Sequence, residues 1–215
     1  MSLSAVNRWP DAAHAAAYLE ARDQIPHRAE GCGVLLEVLE RPRRVLDLGT
    51  GDGVVLALVR SVWPDAEAVG LDFSATMLDA ARARFADDGA VSIVEHDLDR
   101  PLPELGQFDT VVSSFAIHHL ADARKRELYA EVHALLAPGG RFVNLEHVAS
   151  PTARLHRDFM EAMGQDPTEE DPSNQLAALE VQLRWLVELG FVDVDCLWKW
   201  RELALLTGTK PVVDR

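Results

Sequence analysis

The sequence predicts an α/β protein: a seven-stranded, mostly parallel sheet with helices on both faces and a C-terminal antiparallel hairpin. Three observations carry this. Short apolar runs alternate with helix-length segments between residues 43 and 148, the pattern of strand–crossover–strand units. A glycine-rich stretch, Asp47-Leu48-Gly49-Thr50-Gly51-Asp52-Gly53, lies between the first strand and the helix after it. Two strand-like runs, 191–198 and 201–207, end the chain with a gap too short for a crossover helix, so they must pair as a hairpin.

Each element follows from local composition. Residues 11–22 (DAAHAAAYLEAR) are helix formers, and a second helix covers 28–40 before Pro42. Strand 43–48 leads through the glycine loop to helix 54–62, which Pro64 closes. Strand 66–71 precedes helix 74–86, with Ser74 as its N-cap. Strand 91–95, a proline-rich loop at 99–107 and strand 109–114 follow, then a short segment ending in His118 and His119. Helix 122–136 stops at the turn Pro138-Gly139-Gly140, ahead of strand 141–148. A polar helix at 151–164, an exposed loop at 165–173 and helix 174–189 complete the reading. The whole is one domain, 1–215, with a helical cap at 1–40 and a lid-like insertion at 151–175.

Composition narrows the class. The chain has 215 residues, 48% hydrophobic and 26% charged, enough for a full core in one domain. Its 35 acidic against 21 basic residues give a net charge of −14, a surface that disfavours nucleic acid as the main partner. Cys32 and Cys196 stand far apart, without a CxxC or a zinc-type cluster, and read as buried thiols. No run approaches the roughly 18 apolar residues of a membrane span, and nothing near the start resembles a signal peptide. A cytoplasmic protein, monomer or homodimer, is expected.

The glycine loop and three acids suggest a ligand. Glycines allow a tight turn and close ligand approach, and the next helix offers free N–H groups. The spacing here is GxGxG, not the dinucleotide GxGxxG. Asp47 before it would repel a pyrophosphate and suits a cationic or zwitterionic ligand. Asp72, 19 residues after Gly53, ends the second strand and can accept from two ribose hydroxyls. Asp97 follows the third strand, placed for an adenine amino group. Each has an ordinary alternative, as loop cap, helix cap or turn residue, but together they mark the crevice at the carboxyl ends of a parallel sheet.

On these motifs the chain resembles the class I S-adenosyl-L-methionine (SAM)-dependent methyltransferase superfamily, a Rossmann-like fold. VLDLGTGDG (45–53), GLDFS (70–74), EHDLDRPLP (95–103), FDTVVSSFAIHHL (108–120) and LLAPGGRFV (135–143) match its motifs in order. The resemblance implies SAM as cofactor and S-adenosyl-L-homocysteine (SAH) as product. It implies that Asp47, Gly49, Thr50, Gly51 and Gly53 bind the cofactor, with Gly49 and Gly51 along its methionine part, and that Asp72 holds the ribose. Phe73 and Met77 would flank the adenine, Asp97 and the Leu98 backbone would read its edge, and the Ser113 carbonyl would face the methionine ammonium. Tyr18 and Arg22, in a cap like that of small-molecule members, would reach the methionine carboxylate.

Methyl transfer asks the protein to align donor and acceptor and sometimes to remove a proton. His118 is the expected base on the cofactor rim, facing the pocket, with His119 structural. Glu146 and His147, at the end of the fifth strand, are the other catalytic candidates. His156 falls on the lid-like helix, as an exposed residue. No metal is expected, since the spacing lacks an HxxxH pattern. Trp9 is a candidate to line the acceptor pocket. The expected activity is metal-independent methyl transfer to a small-molecule O, N or S nucleophile. The alternatives are a carboxy-SAM synthase or tRNA-modification relative, suggested by VNLEHVASP (143–151), a non-catalytic SAM-binding module, and an NAD-dependent oxidoreductase, which the GxGxG spacing opposes.

Overall fold

The structure is a computed structural model that describes residues 25–166 and 170–212, together with Ala13, Ala15, Ala16 and Leu19, all four helical. Tyr18, Arg22 and Trp9 lie outside the described residues. The elements run α1 (Arg28–Glu37), β1 (Arg44–Leu48), α2 (Val54–Val62), β2 (Glu67–Asp72), α3 (Ala75–Arg84), β3 (Val91–Glu95) and β4 (Phe108–Ser114). A single 3-10 turn, Ile117–His119, leads to α4 (Asp122–Leu135), β5 (Leu136–His147), α5 (Ala153–Ala162), α6 (Leu179–Glu188), β6 (Val192–Trp200) and β7 (Leu203–Thr209). The strands form one sheet in the order β3-β2-β1-β4-β5-β7-β6. The first five are parallel and β7 is antiparallel to both β5 and β6. This is the expected mostly parallel sheet with its closing hairpin.

Burial on both faces explains the apolar runs. Neighbouring strand residues point to opposite sides, and both members of the pairs Val45/Leu46, Val111/Val112 and Phe142/Val143 are fully buried. Leu46, Val111 and Phe142 join Leu128, Tyr129 and Val132 of α4 and Leu186 of α6 on one face. Val45, Val112 and Val143 join Leu35 of α1 and Val55, Leu56 and Val59 of α2 on the other. A strand buried on both sides loses its alternation and reads as continuous hydrophobicity.

Two expectations are corrected. Residues 138–140 do not form a free turn before the fifth strand, because β5 begins at Leu136 and absorbs them. Its pairing with β4 jumps from Phe108↔Leu136 to Thr110↔Arg141, a bulge that accommodates Gly139 at φ 79°. Residues 174–178 are not helical, and α6 starts only at Leu179. Their backbone is engaged elsewhere: the Gln175 N–H donates to the His118 carbonyl at 2.9 Å and the Ala177 carbonyl accepts from Ala149 at 3.0 Å. Tertiary hydrogen bonds have outcompeted helical ones.

Gly53 shows how tightly the first crossover is built. It caps α2 at φ 81°, and a Cβ there would lie 2.5 Å from the Phe85 ring. Gly53→Ala should therefore lower unfolding stability by about 1–3 kcal/mol, from left-handed strain and the clash. Gly89→Ala, where a Cβ meets nothing within 4 Å, should leave stability within about 0.5 kcal/mol or raise it slightly. Urea denaturation of the two variants checks the contrast.

Candidate functional site

The sheet order reverses between β1 and β4, and a crevice lies at the carboxyl ends of the strands there. The cavity there is lined by Asp47, Gly49, Thr50, Gly51 and Asp52 from the first loop, Asp72 and Phe73 after β2, and Asp97 and Leu98 after β3. Met77 of α3, Arg28 of α1, Ser114 at the end of β4, and Phe115, Ala116 and His119 after it are also on its wall. Gly49 makes the closure possible. It sits at φ 69°, and a Cβ would fall 2.1 Å from the Ala116 Cβ, so the loops after β1 and β4 can touch only across a bare backbone.

Asp47 is almost wholly buried, 1% exposed. Its Oδ2 accepts the Thr50 hydroxyl at 2.7 Å, while Oδ1 is buried with no hydrogen-bond partner among the described residues. Burial, reinforced by Asp72 and Asp52, pushes its pKa up to about 7. A buried acceptor left open toward a cavity calls for a donor from a ligand. The Ser114 Oγ, also on the cavity wall, is a second buried polar atom without a partner.

Asp72 does structural work as well. Oδ2 accepts the Gly51 N–H and Oδ1 the Ser74 N–H, both at 2.9 Å. It thus caps α3 through the backbone, while the Ser74 side chain, expected to cap, makes no cap bond. Burial outweighs these N–H donors and raises the Asp72 pKa. Asp97 Oδ1 accepts the Asp99 N–H at 3.0 Å. Asp52 pairs with Arg84, whose Nη2 lies 2.5 Å from its Oδ2 and whose Nε donates to its carbonyl at 2.8 Å.

Not every expected residue reaches this cavity. Gly53 does not line it and serves the helix start. Ser113 is fully buried and donates its hydroxyl to the Leu48 carbonyl at 2.8 Å; Ser114 is the residue on the wall. The orientation expected for the histidine pair is reversed, since His119 lines the cavity and His118 turns inward. The rotation of a one-turn 3-10 segment decides this, and no hydrophobic period reports it. His118 Nδ1 lies 2.7 Å from Glu146 Oε1, with 8% and 0% of the two side chains exposed. The same oxygen accepts the His147 N–H at 2.8 Å, and the Asn144 amide reaches Oε2 at 3.4 Å. His147 does not pair with the Glu146 side chain through its ring. Its Nε2 meets Glu202 Oε2 at 2.8 Å, and His156, expected to be exposed, meets Glu202 Oε1 at 3.0 Å and Glu170 at 3.3 Å. Arg28, Asp52, His96, Ser114, Phe115 and Ala116 line the cavity without having been singled out. Arg28 alone gave a signal, as a basic residue opening the helix expected at 28–40.

Comparison with known proteins finds methyltransferases. A profile described as a methyltransferase domain matches residues 45–140. The demethylmenaquinone methyltransferase of Thermus thermophilus is 39% identical over 118 residues, 54% of this chain and 52% of the relative. This match and this relative mark residues 45–140 as a methyltransferase domain. The trans-aconitate 2-methyltransferase of Mycobacterium tuberculosis is 31% identical over 185 residues, 82% of this chain and 66% of the relative. An O-methyltransferase family protein from Burkholderia thailandensis shares the fold at TM-score 0.74, with 22% identity, 97% of this chain and 65% of that one covered. The chain spans about half the length of curated relatives it matches, 52%, 44% and 41% of the first three.

The cavity suits SAM, the cofactor that the sequence motifs imply. SAM carries an amino group that would be a donor for the open Asp47 oxygen. The pKa of Asp47 gives a two-sided prediction. In the free protein its pKa lies above the unfolded value, so the folded state favours the protonated form and loses stability as pH rises from about 4 through about 7. Asp47→Asn should raise the Tm of the free protein at pH 8 while weakening SAM by about tenfold or more, the loss of a charged hydrogen bond. Thermal melts with and without SAM measure both.

Proposed function

We propose that this methyltransferase transfers the SAM methyl group to an O, N or S nucleophile of a small molecule, with His118 taking the acceptor's proton and Glu146 holding its imidazole. The observation that carries this is the buried His118–Glu146 pair at 2.7 Å, whose imidazole stands 4.0 Å, centroid to centroid, behind that of the cavity-lining His119, so the acceptor's proton would reach it past the His119 ring. The small-molecule class is supported by the net charge of −14 and by relatives named for demethylmenaquinone and trans-aconitate.

SAM supplies a methyl carbon already activated by a sulfonium sulfur. Gly49, Gly51 and Asp47 hold the methionine end, and Arg28 offers its carboxylate a cation, in the role expected of Arg22. Asp72 takes the ribose. Phe73, Met77, Asp97 and Leu98 surround the adenine. The glycine loop and the segment 114–119 close on each other and exclude water.

The pair's electrostatics set the pH at which it works. Burial, then His147 and Lys125, hold His118 well below the usual imidazole range, so it is neutral. Burial pushes Glu146 up to about 7. Above that pH Glu146 is ionised and accepts the Nδ1–H, which leaves Nε2 with the lone pair. As His118 gains a proton, the carboxylate stabilises the imidazolium. Below about 7 Glu146 holds a proton and that support is lost. Proton transfer to His118 needs no metal ion.

Turnover is read as transfer of labelled methyl from SAM to a panel of carboxylates, quinols, phenols, amines and thiols. His118→Ala should lower kcat by about 10²–10⁴-fold, the range for a general base, with SAH affinity unchanged in calorimetry. The wild-type kcat should fall as pH drops through about 7, and Glu146→Gln should lower kcat and remove that limb. Turnover of His118→Ala close to wild type would sink the base assignment.

A further inference from the structure

The turn that carries both histidines is held by a segment more than 50 residues further along the chain. Gln175 donates its backbone N–H to the His118 carbonyl at 2.9 Å and its amide to the His119 carbonyl at 2.7 Å. Lys125, fully buried, donates to the Leu120 carbonyl at 2.7 Å, to Asp122 Oδ1 at 3.1 Å and to the Gln175 carbonyl. Ser173, 3% exposed, places its Oγ 2.9 Å from His119 Nδ1. The same hydroxyl donates to Asp171 Oδ1 at 2.8 Å, and that oxygen also accepts the Ser173 N–H at 2.9 Å.

Proton counting makes the arrangement directional. Ser173 has one hydroxyl proton, and it goes to Asp171. Its oxygen is then an acceptor, and His119 must donate from Nδ1. Burial, then the neighbouring His118, push the His119 pKa down to about 3, so the ring is neutral and carries a single N–H. The ring stands on the cavity wall, its centroid 4.0 Å from that of His118.

We propose that Asp171 and Ser173 are positioning residues for the methyltransferase that act through His119: the relay Asp171–Ser173–His119 fixes the imidazole in its Nδ1–H tautomer and in one orientation, as a ring that contacts the bound cofactor. This rests on SAM occupying the cavity, and is independent of His118 being the base. The acidic stretch 165–173 is then more than a solvated loop, since its end docks on the cofactor wall and sets its shape.

The test uses the full chain labelled with ¹⁵N-histidine, with the His119 ring assigned by its loss in His119→Gln. Wild type should show Nδ1 protonated. Ser173→Ala should move the ring toward the Nε2–H tautomer and weaken SAH by about fivefold, the effect of one neutral hydrogen bond. Ser173→Thr, which keeps the hydroxyl, should restore both readouts, and Asp171→Asn should shift the tautomer balance. A merely structural role would lower the Tm of Ser173→Ala without changing tautomer or affinity. An Nε2–H tautomer in wild type, or SAH affinity in Ser173→Ala within about twofold of wild type, overturns the proposal while the cofactor assignment stands. Failure of wild type to bind SAH overturns both.

Discussion

The site depends on one close approach, that of Gly49 to Ala116. The loops after β1 and β4 come from neighbouring parallel strands, and each carries part of the cavity wall. They meet only because Gly49 has no side chain and occupies a left-handed backbone conformation. Closing that gap brings Asp47, Thr50 and Gly51 opposite Ser114, Phe115 and His119 across one cavity. The sheet supplies the register for this: Leu48 of β1 stands beside Ser113 of β4, so the two loops leave the sheet at the same height.

What the cavity gains in chemistry it gives up in free-state stability. Asp47, Asp52 and Asp72 are all buried on one side of it. Burial of a carboxylate is unfavourable unless donors compensate, and Asp47 retains an open oxygen. Asp72 is better satisfied because it doubles as backbone glue between the glycine loop and α3. A similar division runs behind the cavity, where Glu146 receives His118, the His147 N–H and Asn144 while remaining fully buried. The donors limit the cost without abolishing it, which is why both Asp47 and Glu146 titrate near neutrality.

The strands and the acids of the cavity wall were legible because they are coded locally. A parallel sheet writes each strand as an apolar run, and an acid just past such a run lies at a strand end. Facing was harder to read. Ser113 and Ser114 differ by one residue in a strand buried on both sides, where Val111 and Val112 leave no alternation to fix the phase. His118 and His119 share a single 3-10 turn, too short to show a period. The segment 174–178 reads as helix by composition, yet its polar groups are taken by the histidine turn and by Ala149. Those bonds span more than 25 residues of chain, and a pairing at that distance leaves no mark in either segment alone.

The match to the methyltransferase domain ends at residue 140, but Asp171, Ser173 and Gln175 all lie beyond it. The part of the chain that carries the recognisable motifs is therefore not mechanically self-sufficient, since its histidine turn is clamped from outside. A graft of residues 45–140 onto another scaffold would transplant the glycine loop and its acids intact, yet leave the turn without its splint. Exchange of acceptor preference between such enzymes is thus not free of the cofactor half, and a recombination breakpoint would need to keep the 114–120 segment and the 170–178 segment from the same parent.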